Sequence, residues 1–414
     1  MKKNNYIFSL SIIGVLYFIF GFVTWLNSLL IPFLRTACEL SDSQAYFVTF
    51  AFYISYFVMA IPSSWILNKT GFAKGMSVGL AVMALGALVF IPAAYQRSYY
   101  LFLCGLFVMG TGLSLLQTAA NPYITILGPI ESAAKRMSIM GLFNKIAGMI
   151  GILWLGSVLF SNMEVLNSEI LSLTGLAKQA ALDALVHRLV MPYIIMAIIL
   201  TLLAFMILLA KLPKVEQNNE AEDQNGLNSR SIFRIPYLWI GIVALFLYVG
   251  VEVIAIDTLG LYGETQGISK ELAPKLGTFS LIALTIGYIV GIYLVPKHIS
   301  QSKALTYSAI LGFVFAVAAL CSGGITSVVF IILLSFAHAM MWPGIWPLAI
   351  DKLGSHTALA SAFLIMAIAG GAVLPLLYGA WATCADRHIP YLILLPCYIF
   401  IYYFATKGHK TGKR

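Results

Sequence analysis

Three observations predict an all-α membrane protein with twelve transmembrane helices in two pseudo-symmetric six-helix bundles. First, 60 % of the 414 residues are hydrophobic and 10 % are charged, against about 25 % charged in soluble domains. Mean hydropathy is correspondingly high, at +0.92. Second, the chain holds twelve apolar stretches, each near or above the roughly 20 residues a membrane-crossing helix needs. Third, the longest polar stretch, 212–234, leaves six of them on either side.

In chain order, span 1 covers 6–34. It is too long for a signal-peptide core and lacks a small-residue cleavage site, so it is read as retained. Spans 2 and 3 (44–67 and 76–96) are joined by Asn68-Lys69-Thr70-Gly71-Phe72-Ala73-Lys74-Gly75, a tight basic turn. Span 4 (99–128) carries Asn121-Pro122, and span 5 (137–161) is rich in small residues. The segment 162–189 has room for a short amphipathic surface helix before span 6 (190–211). After the polar segment come spans 7 to 12, at 235–263, 276–296, 304–322, 325–349, 357–381 and 389–406. A weak internal echo links the halves. Asn121-Pro122, Gly128, Gly148 and Gly151 in the first correspond to Trp346-Pro347, Gly354, Gly370 and Gly371 in the second. The expected organisation is an N-terminal bundle at 1–211, a cytoplasmic linker at 212–234 and a C-terminal bundle at 235–414.

The net charge of +9 does not imply a nucleic-acid partner. With both termini cytoplasmic, seventeen Lys and Arg fall on the cytoplasmic side and seven on the outer side, leaving Lys145 inside the membrane. That asymmetry orients a membrane protein and predicts a multi-pass bacterial inner-membrane location, with the lipid bilayer as the surrounding partner. Cys104, Cys321 and Cys397 lie within apolar spans and are expected only to pack. Cys38 and Cys384 lie near the outer ends of spans 1 and 11. They are expected to stay unpaired, although an oxidising compartment would allow a bond. The cysteines show no metal-ligand spacing.

Four ionisable side chains, Lys145, Glu252, Asp257 and His338, sit well inside the spans. Buried charge is costly in hydrocarbon, so the bundle interior is expected to handle something polar. His338 is read as a satisfied core histidine. At about 1.5 Å of rise per residue, Gln117, Asn121, Asn144 and Lys145 share a level in the inner half. Thr24, Trp25, Asn27 and Ser28 lie nearer the outer half, with Glu252 and Asp257. This reckoning separates Lys145 from the span 7 acids by more than about 10 Å. Glu252 and Asp257 are offset by about 140° around their helix, so they need not share a face.

Asn and Gln supply the paired donors and acceptors that sugar hydroxyls require, and an aromatic ring can cover the apolar face of a pyranose. Trp25, Trp342, Trp346, Tyr53, Tyr56 and Tyr123 are the aromatic candidates. An intramembrane carboxylate can bind a proton or sodium, or accept from a hydroxyl. Enzyme readings find no paired catalytic groups and no phosphate-cradling loop. Channel readings find no filter repeat or ring of like charges.

The strings GFVTWLNSLLIPFL (21–34), FAFYISYFVMAIPSSWIL (50–67), LQTAANPYITILGP (116–129) and YVGVEVIAIDTLGLYG (248–263) resemble the fucose/glucose/galactose sugar-symporter family of the major facilitator superfamily. Within it they are most similar to the glucose/galactose branch, and the resemblance covers nearly the whole chain. It implies the major facilitator fold and cation-driven sugar uptake by alternating access. Fucose–proton members carry acidic residues at two positions where this chain has Ser28 and Gln117. By that comparison, coupling shifts to Glu252 and Asp257 of span 7 or to sodium, with facilitated diffusion as the alternative.

The resulting expectation is a non-enzymatic carrier importing a neutral monosaccharide, glucose or galactose first and fucose next. Trp25 would stack on the ring, and Asn27, Gln117, Asn121 and Asn144 would bind hydroxyls. Lys145, Glu252 and Asp257 would serve coupling or substrate. No cofactor is expected beyond a co-transported H+ or Na+, and a monomer is expected to function. The alternatives are a carrier for another solute (an amino sugar, a muropeptide fragment or an exported drug) and a nontransporting sugar sensor.

Overall fold

The structure, a computed structural model, describes residues 3–126, 133–209, 229–295, 297–351, 353, 356–382 and 386–412. Among the described residues, twelve helical stretches are long and apolar enough to cross a membrane, and they form the two six-helix bundles expected. The boundary proposed at 212–234 runs into residues 210–228, which lie outside the described residues, as do Gly128, Gly354 and Cys384. Large apolar side chains such as Leu85, Leu202, Phe205 and Ile289 face outward and are exposed, as a lipid-facing surface requires.

Among the described residues, spans 1, 7, 10 and 11 are each divided between two helices. Span 1 consists of α1 (Lys3–Trp25) and α2 (Asn27–Ala37), and so extends beyond the expected end at 34. Pro32 cannot donate to the carbonyl one turn back, while the Ser28 hydroxyl donates to the Trp25 carbonyl at 2.8 Å. Span 7 consists of α10 (Pro236–Asp257) and α11 (Leu259–Thr265). At its break the Thr258 hydroxyl donates to the Ile254 carbonyl at 2.7 Å. Span 10 divides into α14 (Gly324–His338) and α15 (Met341–Ile350), where Pro343 leaves the Ala339 carbonyl without its helical donor. Span 11 divides into α16 (Thr357–Met366) and α17 (Gly370–Ala382), separated by a tighter turn at Ala367–Ala369.

Elsewhere the turns are shorter than the sequence suggests. After the single turn α3 (Asp42–Ala45), spans 2 and 3 form one element, α4 (Phe47–Tyr95). The expected turn at 68–75 reduces to a kink at Gly71, with φ 75° and ψ 170°, a conformation essentially reserved for glycine. Span 4 is α5 (Tyr99–Ile126) and span 5 is α6 (Ala133–Leu159). The segment expected to hold one surface helix holds two, α7 (Met163–Ser172) and α8 (Gly175–His187). The second leads directly into α9 (Val190–Leu209), so span 6 runs from Gly175. Spans 8, 9 and 12 are α12 (Leu276–Leu294), α13 (Gln301–Cys321) and α18 (Leu394–Thr406).

One close approach sets the level of the site. A Cβ on Gly21 would lie 1.7 Å from the Asn144 carbonyl oxygen, so α1 and α6 touch backbone to backbone. Small residues permit such contacts between membrane helices. The contact brings Trp25 and Asn144 together.

Candidate functional site

A cavity lies between the two bundles. The first bundle contributes Tyr17, Phe20, Thr24 and Trp25 from α1, Tyr53 and Tyr56 from α4, Gln117 and Asn121 from α5, and Asn144 and Lys145 from α6. The second contributes Tyr248, Val249, Glu252 and Val253 from α10, Tyr288 from α12, Trp342 from α15 and Ile368 from span 11. The volume open to water centres is about 100 Å³, enough for several waters at roughly 10–15 Å³ each.

The polar side chains are held to one another. Lys145 Nζ lies 3.1 Å from Glu252 Oε1, an ion pair joining the bundles. The same ammonium sits 4.1 Å from the Trp25 ring centroid, within the range of a cation–π contact. Trp25 Nε1 donates to Asn144 Oδ1 at 3.0 Å, Gln117 Nε2 donates to the Tyr56 hydroxyl at 3.0 Å, and the Tyr17 hydroxyl donates to Asn121 Oδ1. This site offers a neutral ion pair, three fixed amides and several aromatic walls.

The ion pair corrects the depth reckoning, which placed Lys145 too far from Glu252. Span 7 runs from Pro236 to Thr265, and Glu252 lies near its middle rather than in its outer half. The lysine stem spans the remaining distance. The two supposed polar levels are therefore one, joined by the Trp25–Asn144 hydrogen bond.

Two expected site residues lie elsewhere. Asn27 does not line the cavity: beyond the break after Trp25 it is 1 % exposed, and its Nδ2 has no hydrogen-bond partner among the described residues. Asp257 is also outside the cavity, on a different face of α10 from Glu252, as their angular offset requires. Thr49 on α4 donates to Asp257 Oδ2 at 3.3 Å. His338 is fully buried, with Nε2 2.6 Å from the Tyr398 hydroxyl. Among the described residues no group of His, Cys, Asp and Glu could hold a metal ion.

The face opposite the termini is closed above the cavity. Asp42 at the start of α3 receives Arg387 from the second bundle through two hydrogen bonds, Nε to Oδ2 at 2.7 Å and Nη2 to Oδ1 at 2.8 Å. Arg35 approaches the same carboxylate at 2.7 Å. Beneath this rim, Tyr46 at the junction of α3 and α4 meets Tyr378 of α17 edge to face, with centroids 5.7 Å apart. Burial works against the Arg387 charge, but hydrogen bonding and attraction from Asp42 outweigh it and hold its proton more tightly than usual.

Tyr17, Tyr248 and Tyr288 were not singled out by the sequence reading. Helical register could have found two of them. Tyr17, Phe20 and Thr24 recur at i, i+3 and i+7, and Tyr248 stands four residues before Glu252, so each set shares a face. Tyr288 carries no comparable signal.

The comparisons agree with this architecture. The chain matches the Major Facilitator Superfamily over residues 13–382. It is 32 % identical to a glucose/galactose transporter of Brucella abortus biovar 1 (strain 9-941), covering 99 % of this chain and 96 % of that one. It is 30 % identical to the L-fucose-proton symporter of Escherichia coli (strain K12), over 99 % and 95 % of the two chains. Among solved structures, that of the superfamily transporter FucP in the outward conformation superposes with a TM-score of 0.76 at 29 % identity, covering 97 % of this chain and 98 % of that one. With its twelve spans and the cavity between its bundles, the chain belongs to the Major Facilitator Superfamily.

Proposed function

We propose that this protein imports a neutral monosaccharide of the glucose, galactose or fucose type across a bacterial inner membrane. It does so by alternating access, coupled to a cation gradient and with both termini in the cytoplasm. A monomer suffices, since one chain supplies every wall of the cavity. The observation that carries the reading is a cavity shared by both bundles, lined by amides and aromatic rings, beneath a closed rim. Relatives named as sugar transporters and a sugar–proton symporter support the substrate class.

In this reading, Gln117, Asn121 and Asn144 exchange their present tyrosine and tryptophan partners for sugar hydroxyls. Trp25 and Trp342 cover the apolar face of the ring. The Lys145–Glu252 pair offers a donor and an acceptor without net charge, which suits an uncharged solute. Binding drives transport only by favouring one conformation over another, since equal affinity for both shifts nothing.

Uptake of labelled glucose, galactose and L-fucose into proteoliposomes, with imposed proton or sodium gradients, tests the proposal. Saturable accumulation of one of them, abolished when the gradient is collapsed, is expected. Binding without accumulation would indicate a sensor and overturn it.

A further inference from the structure

Asp257 ends α10 above the level the cavity reaches, and it is 1 % exposed. Its Oδ2 accepts from Thr49 of the opposite bundle at 3.3 Å, and its Oδ1 has no hydrogen-bond partner among the described residues. No cationic side chain pairs with it among those residues. The titratable groups facing it are Tyr46 at the junction of α3 and α4, Tyr53 on α4 and Glu252 on its own helix. Arg35 on α2 is engaged with Asp42, Tyr378 on α17 donates to the Arg387 carbonyl, and Tyr288 on α12 lines the cavity.

A carboxylate placed here lacks the compensation that Lys145 gives Glu252. An unpaired buried ion is costly even after relaxation, so a charged Asp257 opposes the closed rim and a neutral one permits it. A bound metal cation would need several converging oxygens, but the one hydroxyl bonded to Asp257 turns its hydrogen toward the carboxylate. A proton needs only the free oxygen.

We propose that Asp257 carries the co-transported proton, and that its protonated form is the one in which the face opposite the termini closes. This deepens the carrier reading and rests on it. When that face opens, Asp257 parts from Thr49, meets water and exchanges its proton with that side. Once protonated, it returns to the sealed position. Tyr53, one turn from Thr49, both faces Asp257 and lines the cavity, which gives the proton an exit toward the other side. Because the closed form favours the bound proton, closure is strongest at low pH and weakens as pH rises. One linked proton changes the closed-to-open ratio by up to about tenfold per pH unit.

Hydrogen–deuterium exchange of the full-length protein in nanodiscs reads this without any sugar. The reporters are peptides 38–46 and 258–267 at pH 5.5 and 8.5, corrected for intrinsic exchange. The wild type is expected to be protected at the lower pH and to open several-fold at the higher. Asp257→Asn should stay protected at both, and Asp257→Glu should restore the response. A wild-type rim indifferent to pH, or an Asp257→Asn rim that still responds, overturns the assignment. Should Asp257→Asn not be recovered folded, Thr49→Val decides: losing the closed-state hydrogen bond must move opening to lower pH, and an unchanged curve overturns the proposal. Failure of sugar uptake with an intact pH response would overturn the carrier reading alone.

Discussion

Glu252 and Asp257 are the same kind of group on the same helix, yet their surroundings differ in nearly every respect. Glu252 faces the cavity and is neutralised by Lys145 at 3.1 Å. Asp257 faces α4, meets one threonine hydroxyl and lies outside the cavity. The five-residue offset turns one toward span 5 and the other toward span 2. An intramembrane acid therefore takes its role from the element it faces, not from its depth alone. The paired acid builds a permanent polar wall, whereas the unpaired one is suited to gaining and losing a proton.

The largest effect that can break this comparison is removal of one partner of the ion pair. Lys145→Ala leaves Glu252 buried without a counter-charge, a loss of about 3–5 kcal/mol in comparable pairs. A markedly lower melting midpoint in detergent is expected, with the double variant Lys145→Met/Glu252→Met regaining most of it. Equal midpoints for Lys145→Ala and the wild type would mean that the pair contributes no stability. Next comes the rim. Arg387→Ala removes charged hydrogen bonds worth about 1.5–3 kcal/mol each, and should raise maleimide labelling of half-buried Cys38 about tenfold or more, read by peptide mass spectrometry. Unchanged labelling would show that the rim does not depend on Asp42–Arg387. The smallest effect is at Trp25. Trp25→Phe keeps an aromatic wall but offers the sugar a smaller ring, and the loss of about 1 kcal/mol of apolar contact should weaken sugar binding roughly fivefold in equilibrium titration. Unaltered affinity would remove Trp25 from the binding surface.

Much of this architecture was legible from hydropathy, because lipid forces each crossing into a helix that satisfies its own backbone. Twelve spans, the central polar segment and the cavity residues Trp25, Gln117, Asn121, Asn144, Lys145 and Glu252 could all be read from the chain. Helix breaks were not, because the hydroxyl-to-carbonyl bonds of Ser28 and Thr258 leave the apolar pattern intact. The Lys145–Glu252 contact was missed because Glu252 was reckoned into the outer half of span 7, although it stands near that span's middle, and the reach of a lysine stem was not counted. Asn27 was misplaced because the break after Trp25 re-aims the side chains that follow. The rim pair Asp42–Arg387 joins residues 345 positions apart, and only the packing of the two bundles brings them together.

Paired assays of Asp257→Asn, comparing galactose accumulation in proteoliposomes driven by a proton gradient with equilibrium binding of galactose, test the account most directly. Binding is predicted to survive, because Asp257 lies outside the cavity, while gradient-driven accumulation falls to background. Accumulation by Asp257→Asn at the wild-type level would contradict it.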